Sequence, residues 1–395
     1  MSRLFRFIGT LWSIVGITLL CLIILNALLV WLLPKPDGQA RVERDAQAPD
    51  IAVSDAFADA PWNADYWVEH EQARATAWRS YVYWRRQPFA GSQIRVDEHG
   101  FRHTWQNPEA GDDAPEVWVF GGSVVWGTGV PDEWTLPSQL AKLYARPRPG
   151  QPVRVYNFGE SGYVSGQSRA ALAQALACRG RRPALAIFVD GANDVFAAFQ
   201  SDVAGEPQNE QRRRIEFNSS QRAGNLLAAW VARIDGLERL RAWLAPPVAE
   251  ASSVAELAEQ VVQRYLEHVR QIGDLAAGAG IRTHFVWQPH LFSKVSQSAD
   301  EQRIVAGSYR RHRALQLASD TALATRVRAG ISPVLDLSGL YRDVPEALFG
   351  DFVHINAAGL GNLAEVIYGS APPVLVANPG GSAASTCPDL PVAQP

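Results

Sequence analysis

A basic excess is missing from this chain. Its 37 Lys and Arg face 40 Asp and Glu, leaving a net charge of -3 over 395 residues. Nucleic-acid binding leaves a basic footprint, so no nucleic-acid partner is expected. Cysteine is scarce, with three residues in all. Cys21 lies in an apolar run, while Cys178 and Cys387 either pair in an oxidising compartment or remain free thiols. Metal-ligand spacing is also lacking. His99-x-x-x-His103 has a metal-type interval, but it spans the turn at Gly100 and has no third ligand, so neither metal nor cofactor is expected. No internal repeat is visible.

Charge is absent from one long stretch, Phe7 to Leu33. That exceeds the roughly 20 apolar residues needed to span the hydrocarbon of a bilayer. A cleaved signal peptide would have a shorter apolar centre and a small-residue cleavage site, and neither is present. Residues 1–35 are therefore predicted to be a transmembrane signal anchor, in contact with lipid through residues 7–33. Arg3 and Arg6 set its N-terminus inside. The rest of the chain would stand outside the cytoplasm, in the periplasm or extracellularly, held by a single pass of the inner membrane.

Beyond the anchor, 36–61 is rich in Ala, Asp, Pro and Gln and reads as a flexible spacer. Residues 62–115 read as a helical and extended lead-in, with one or two helices between Trp62 and Arg86. Tryptophan is abundant, 13 in all, and crowds the first third of the chain. This is either apolar bulk for a core or an aromatic platform for glycans. From 116 to 370 strand-like runs (Val117–Phe120, Val153–Tyr156, Leu185–Val189, Thr283–Trp287, Val334–Leu337) are separated by helical stretches (Leu136–Tyr144, Ser168–Ala177, Val254–Ala277). That alternation predicts an α/β fold with a mainly parallel five-stranded sheet between helical layers, a three-layer α/β/α arrangement. Gly205–Asn225 is polar and reads as a solvated excursion. The Pro-, Gly- and Ser-rich end, 371–395, reads as a disordered tail.

In such sheets ligands gather at the carboxyl ends of the strands. After the first strand comes Gly121-Gly122-Ser123. A phosphate loop is excluded, because no lysine follows Gly127 or Gly129, and the dinucleotide pattern that Gly127-Thr128-Gly129 begins is not completed. The other use of a tight glycine turn is to present a nucleophile. Ser123 then needs a base, and a base needs a carboxylate to orient it. Asp351-x-x-His354, after the fifth strand, offers both. Acyl transfer further needs donors for an oxyanion. Asn157-Phe-Gly-Glu-Ser-Gly162 after the second strand and Gly191-Ala-Asn193-Asp194 after the third can supply them.

These four blocks, in this order, resemble the SGNH hydrolase family, the GDSL-type esterases and lipases, and its membrane-anchored bacterial members in particular. The likeness covers about Val117 to Tyr368. It implies a flavodoxin-like SGNH fold. It also implies that Ser123 is the nucleophile, His354 the general base, Asp351 its orienting acid, and that the oxyanion hole is formed by Ser123, Gly162 and Asn193. One departure stands out: Gly122 occupies the place of the aspartate in the family's Gly-Asp-Ser-Leu. Gln288, His290 and Arg102 are candidate substrate-lining residues. The expected activity is hydrolysis of acyl esters, O-acetyl above all, on a small molecule or an envelope or extracellular glycan. An O-acyltransferase using the same serine and an inactive glycan-binding protein are the alternatives.

Overall fold

The computed structural model describes residues 2–33, 51–146, 152–220, 252–371 and the single positions 236 and 240. The chain falls into two compact units, 1–47 with 209–251, and 48–208 with 252–395. The first unit contains α1 (Ser2–Leu32). Its segment Trp12–Leu32 is long and apolar enough to cross a membrane. Asn26 Oδ1 accepts from the backbone N–H of Gly236 at 2.8 Å.

The second unit opens with α2 (Asn63–Gln72), followed by four short strands: β1 (Thr76–Arg79), β2 (Tyr83–Arg86), β3 (Phe89–Ala90) and β4 (Arg95–Val96). The α/β body then runs β5 (Glu116–Gly121), α3 (Ser123–Trp126), α4 (Leu136–Tyr144), β6 (Arg154–Asn157), α5 (Ser165–Cys178), β7 (Leu185–Asp190) and α6 (Ala192–Ser201). Residues Glu210–Ser220 form α7, which belongs to the first unit. The body resumes with α8 (Val254–Gly278), β8 (Arg282–Trp287), α9 (Ala299–Gly307), α10 (Arg310–Arg328), β9 (Val334–Asp336) and α11 (Ala357–Ser370).

All five body strands were predicted within two residues, and they form one parallel sheet in the order β6-β5-β7-β8-β9. Every residue of β5 and β7 is buried, as expected of strands covered on both faces. The pleat sorts their side chains. Val117 and Val119 join Leu140 of α4 and Leu363 of α11 on one face. Trp118 and Phe120 join Leu172 of α5, Val262 of α8 and Leu315 of α10 on the other. On that face Phe120, Phe188 and Phe285 are direct register partners on adjacent strands. Their ring centroids lie 4.9 and 5.4 Å apart. Each side chain so buried contributes about 2 kcal/mol of transfer free energy. Ser253 caps α8 and Asn356 caps α11, accepting from Glu256 N–H at 3.2 Å and Gly359 N–H at 2.9 Å.

Several expectations need correction. The end of the expected spacer is folded: Ile51–Val53 forms a turn of 3-10 helix, and Phe57 is buried in the core. Phe57 therefore anchors a segment whose composition alone suggested none. One helix forms between Trp62 and Arg86, within the one or two expected. Beyond Gln72 the chain turns into the antiparallel pair β1–β2, because aromatic and branched residues there pair across strands rather than along a helix. The polar Gly205–Asn225 stretch is helical over Glu210–Ser220, with Arg214–Glu210 and Arg212–Glu216 pairs one turn apart. Cys178 is disulfide-bonded and Cys21 is free. Cys387, most of the tail and the spacer up to residue 50 lie outside the described residues.

Candidate active site

The order of the sheet reverses beside β5, so the crevice outside its carboxyl end is where a ligand would sit. Gly121 ends β5 at φ +153, and a Cβ there would lie 2.2 Å from the Val189 carbonyl oxygen of β7. A side chain would force the two strands apart at the exit. Gly122 follows in extended conformation, and the chain turns at once into the single helical turn α3. Ser123 is its first residue. A Cβ on Gly122 would lie 2.2 Å from Nδ2 of Asn193. The unusual second glycine therefore has a physical reason: it lets the Asn193 amide approach the nucleophile turn.

Ser123 keeps 8% of its surface open to solvent. Its Oγ is 2.7 Å from Nε2 of His354. Nδ1 of His354 is 2.5 Å from Oδ2 of Asp351. The other oxygen, Oδ1, accepts from the N–H groups of His354 at 2.7 Å and Val353 at 2.8 Å. This closes the Asp-x-x-His turn on itself. Burial alone would raise the Asp351 carboxyl. The His354 ring and the two N–H donors outweigh it and hold the group below its ordinary range. The carboxylate thus stays charged beside the imidazole.

Asn193 is the second residue of α6, just beyond β7. Its Nδ2 donates to the Tyr163 carbonyl at 2.8 Å, which leaves the second amide hydrogen for another acceptor. Its Oδ1 accepts from Nε2 of Gln208 at 3.2 Å, so the amide is held at both ends. Gly162 lies in the loop after β6, at φ +79. Among the described residues, the backbone N–H groups of Ser123 and Gly162 donate no hydrogen bond. Three donors are thus free near one turn. Sequence reasoning missed Gln208, because it falls in a polar stretch with no motif of its own.

The lead-in braces this face. Arg102, expected to line the substrate, is instead 2% exposed. Its guanidinium donates to the carbonyls of Trp126 (3.2 Å), Gly127 (2.6 Å) and Val130 (2.7 Å), and Nε to Asp132 at 2.9 Å. A cation at the carbonyl end of α3 fixes the turn that carries Ser123. Arg86 and Arg102 both lie 4.4 Å from the Trp126 ring. The buried Glu160 accepts from the backbone N–H of Arg86 and of Ser161, both at 2.8 Å, tying β2 to the glycine-block loop. His70 of α2 is a further neighbour. Burial, then the charges of Arg86, Arg102 and His354, push its imidazole down to about 3, so it is neutral at physiological pH. The remaining lining candidates are buried too. Nε2 of His290 is 2.7 Å from Asp320, which also accepts from Trp287 at 2.9 Å. Gln288 is buried at the end of β8, its backbone N–H donating to Asp190 O at 3.0 Å.

No family model matches the chain, and no curated protein is similar to it. Solved structures are. An acetyl-xylooligosaccharide esterase from Geobacillus stearothermophilus, an Axe2 mutant, shares 12% identity over 66% of this chain and 94% of its own, with a TM-score of 0.38. A carbohydrate acetylesterase family member from Sinorhizobium meliloti shares 13% over 65% and 96%, with a TM-score of 0.36. A member of the lipolytic protein G-D-S-L family from Veillonella parvula shares 12% over 65% and 98%, with a TM-score of 0.35.

Proposed function

We propose that the protein is a serine esterase that hydrolyses acyl esters, O-acetyl groups on glycans above all, outside the cytoplasm. The reading is carried by one observation, the unbroken line Asp351–His354–Ser123 with contacts of 2.5 and 2.7 Å. Ser123 Oγ attacks the acyl carbon as Nε2 of His354 takes its proton. The carbonyl oxygen becomes an oxyanion, received by the N–H groups of Ser123 and Gly162 and the second amide hydrogen of Asn193. The tetrahedral species collapses, His354 returns the proton to the departing alkoxide, and an alcohol leaves. Water then gives its proton to His354 and attacks the acyl-serine, releasing the acid and restoring Ser123. Asp351 stays ionised throughout and holds the tautomer of His354 that accepts at Nε2.

The location is part of the same proposal. The apolar N-terminal helix supports membrane attachment, and the positions of Arg3 and Arg6 support an N-terminus inside. A reporter fused after Pro395 should be active only outside the cytoplasm. The chemistry is tested with the full chain in detergent and an activated acetyl ester. Ser123→Ala should abolish turnover, and wild type should accumulate an acetyl adduct on Ser123 by mass spectrometry. Equal rates for the two proteins would sink the reading.

A further inference from the structure

The β1–β2 hairpin belongs to the lead-in, not to the α/β body, and it exposes an unusual amount of aromatic surface. Trp78 is 65% exposed and Tyr81 82%. Tyr83 and Trp84 beside them are half-buried, and exposed apolar surface rimmed in this way commonly marks a contact site. Its geometry is directional. Trp78 and Tyr83 have ring centroids 5.3 Å apart, Tyr83 and Trp84 6.5 Å with planes 20° apart. The row ends at the candidate oxyanion site, where the Trp84 ring lies 3.3 Å from the position of a Cβ on Gly162. Trp84 Nε1 donates to the Ser161 carbonyl at 3.0 Å, which fixes that end.

Regular pleating would send Tyr83 and Trp84 to opposite faces. Tyr83 instead has φ +71, and Tyr81 φ +66, two of the four non-glycine residues with positive φ among those described. Between them Val82 turns inward and is buried, while Tyr81 stays exposed and Tyr83 half-buried. Such backbone is unfavourable for aromatic residues and persists only where its surroundings enforce it. Here they do. Gln167 and Gln174 of α5 donate to the carbonyls of Val82 at 2.7 Å and Ser80 at 2.6 Å. The hairpin tip is therefore clamped, and its rings are held in place before any ligand arrives.

We propose that Trp78, Tyr83 and Trp84 form a row of carbohydrate subsites that lays an acetylated polysaccharide chain along the hairpin and delivers one acetyl group to Ser123. This rests on the esterase reading above and adds the residues that would bind its glycan substrate. Pyranose rings present flat C–H faces that stack on aromatic faces, and a row of such faces suits a polymer of linked rings. A lipid surface would also accept exposed Trp and Tyr, but it gives no reason for the row to run inward to Gly162.

The test uses the full chain in detergent, with acetylated xylan and O-acetylated alginate as polymers and an activated acetyl ester as the small substrate. Trp78→Ala should raise KM on at least one polymer by about tenfold, the loss of one stacked ring. The ratio of polymer to small-ester kcat/KM should fall with it. Trp78→Phe should recover most of the loss and Trp78→Leu little, because a face and not mere bulk is needed. Trp134→Ala, which removes another exposed ring, should leave the ratio unchanged. Melting temperatures monitor folding. Should a variant misfold, affinity electrophoresis of Ser123→Ala with and without polymer gives the binding directly. Hydrolysis of the small ester with neither polymer bound nor cleaved overturns the subsites but not the esterase. The same holds if Trp78→Ala weakens only co-sedimentation with phosphatidylglycerol vesicles. Absence of any ester turnover together with polymer binding lost in Trp78→Ala overturns the esterase and keeps the subsites.

Discussion

Among the described residues lie two Ser-His-Asp sets, and they are wired differently. In the first, the imidazole stands in the middle: Asp351 holds His354, and His354 faces Ser123. In the second, the serine stands in the middle. Ser165 Oγ lies 2.5 Å from Asp194 Oδ1 and 2.8 Å from Nδ1 of His268. That hydroxyl donates its one hydrogen to Asp194, so toward Nδ1 of His268 it can only accept, and the imidazole is not placed to take its proton. The second set is also buried, with His268 pushed down to about 4 by burial and by the charge of Arg169. On the reading proposed above, the same three residue types serve as a proton relay in one place and as a structural strut between α5, α6 and α8 in the other. Order and solvent access decide, not composition.

The largest effect that could break this contrast is on turnover. Ser123→Ala and Asp351→Asn should each lower kcat on an activated acetyl ester by about 10⁴-fold or more. Ser165→Ala should change it by less than about tenfold. Steady-state kinetics on the three purified variants decide. A dead Ser165→Ala beside an active, folded Ser123→Ala would reverse the assignment.

Adjacent residues sharpen it next. Asn193 turns its amide toward Gly122, while Asp194 accepts from Ser165. Asn193→Ala removes one oxyanion donor and should cost about 10²–10³ in kcat with little change in KM. The smaller counterpart is Ser165→Ala, read on stability instead of rate. It strips a donor from the buried Asp194, so it should cost about 1–3 kcal/mol in denaturant unfolding. A neutral stability result would mean the strut carries no load.

The difference between the sets also marks how far the residues could be read in advance. The five strands were legible because burial on both faces demands unbroken apolar runs such as Val117–Phe120. The first set was legible because Ser123 follows a strand end directly and Asp351-x-x-His354 is a compact motif in the loop between β9 and α11. Arg102 was misjudged. A lone arginine in a loop carries no mark of whether it meets a substrate or, as here, the carbonyls of Trp126, Gly127 and Val130. The β1–β2 pair was also unreadable as such, since Tyr81 and Tyr83 at positive φ break the period that identifies strands. Phe57 shows the same limit: one buried ring suffices to fix a segment whose composition says linker.

The smallest effect concerns pH, and it follows from the strut's neighbour. Asp190 ends β7 and accepts from Ser168 at 3.0 Å. Burial, and then the nearby Asp194, push its carboxyl well above the ordinary 3.8. In the unfolded chain the group loses its proton near that ordinary value, whereas in the folded chain it keeps the proton to higher pH. The unfolded state therefore binds fewer protons between the two values, and stability falls as pH rises through that window. Asp190→Asn keeps the shape and removes the titration. The buried histidines contribute in the opposite sense, since their folded values are lowered and their stabilisation is lost as pH falls below 6.5. They are common to both proteins and cancel in a difference. Melting temperature followed from pH 5 to pH 8 should thus decline more steeply in wild type than in Asp190→Asn. The variant's relative gain should grow with pH and leave the kcat of the Ser123 site within about twofold, as expected of a group outside the relay. A difference that stays flat across the range would mean that Asp190 is ionised in the folded protein.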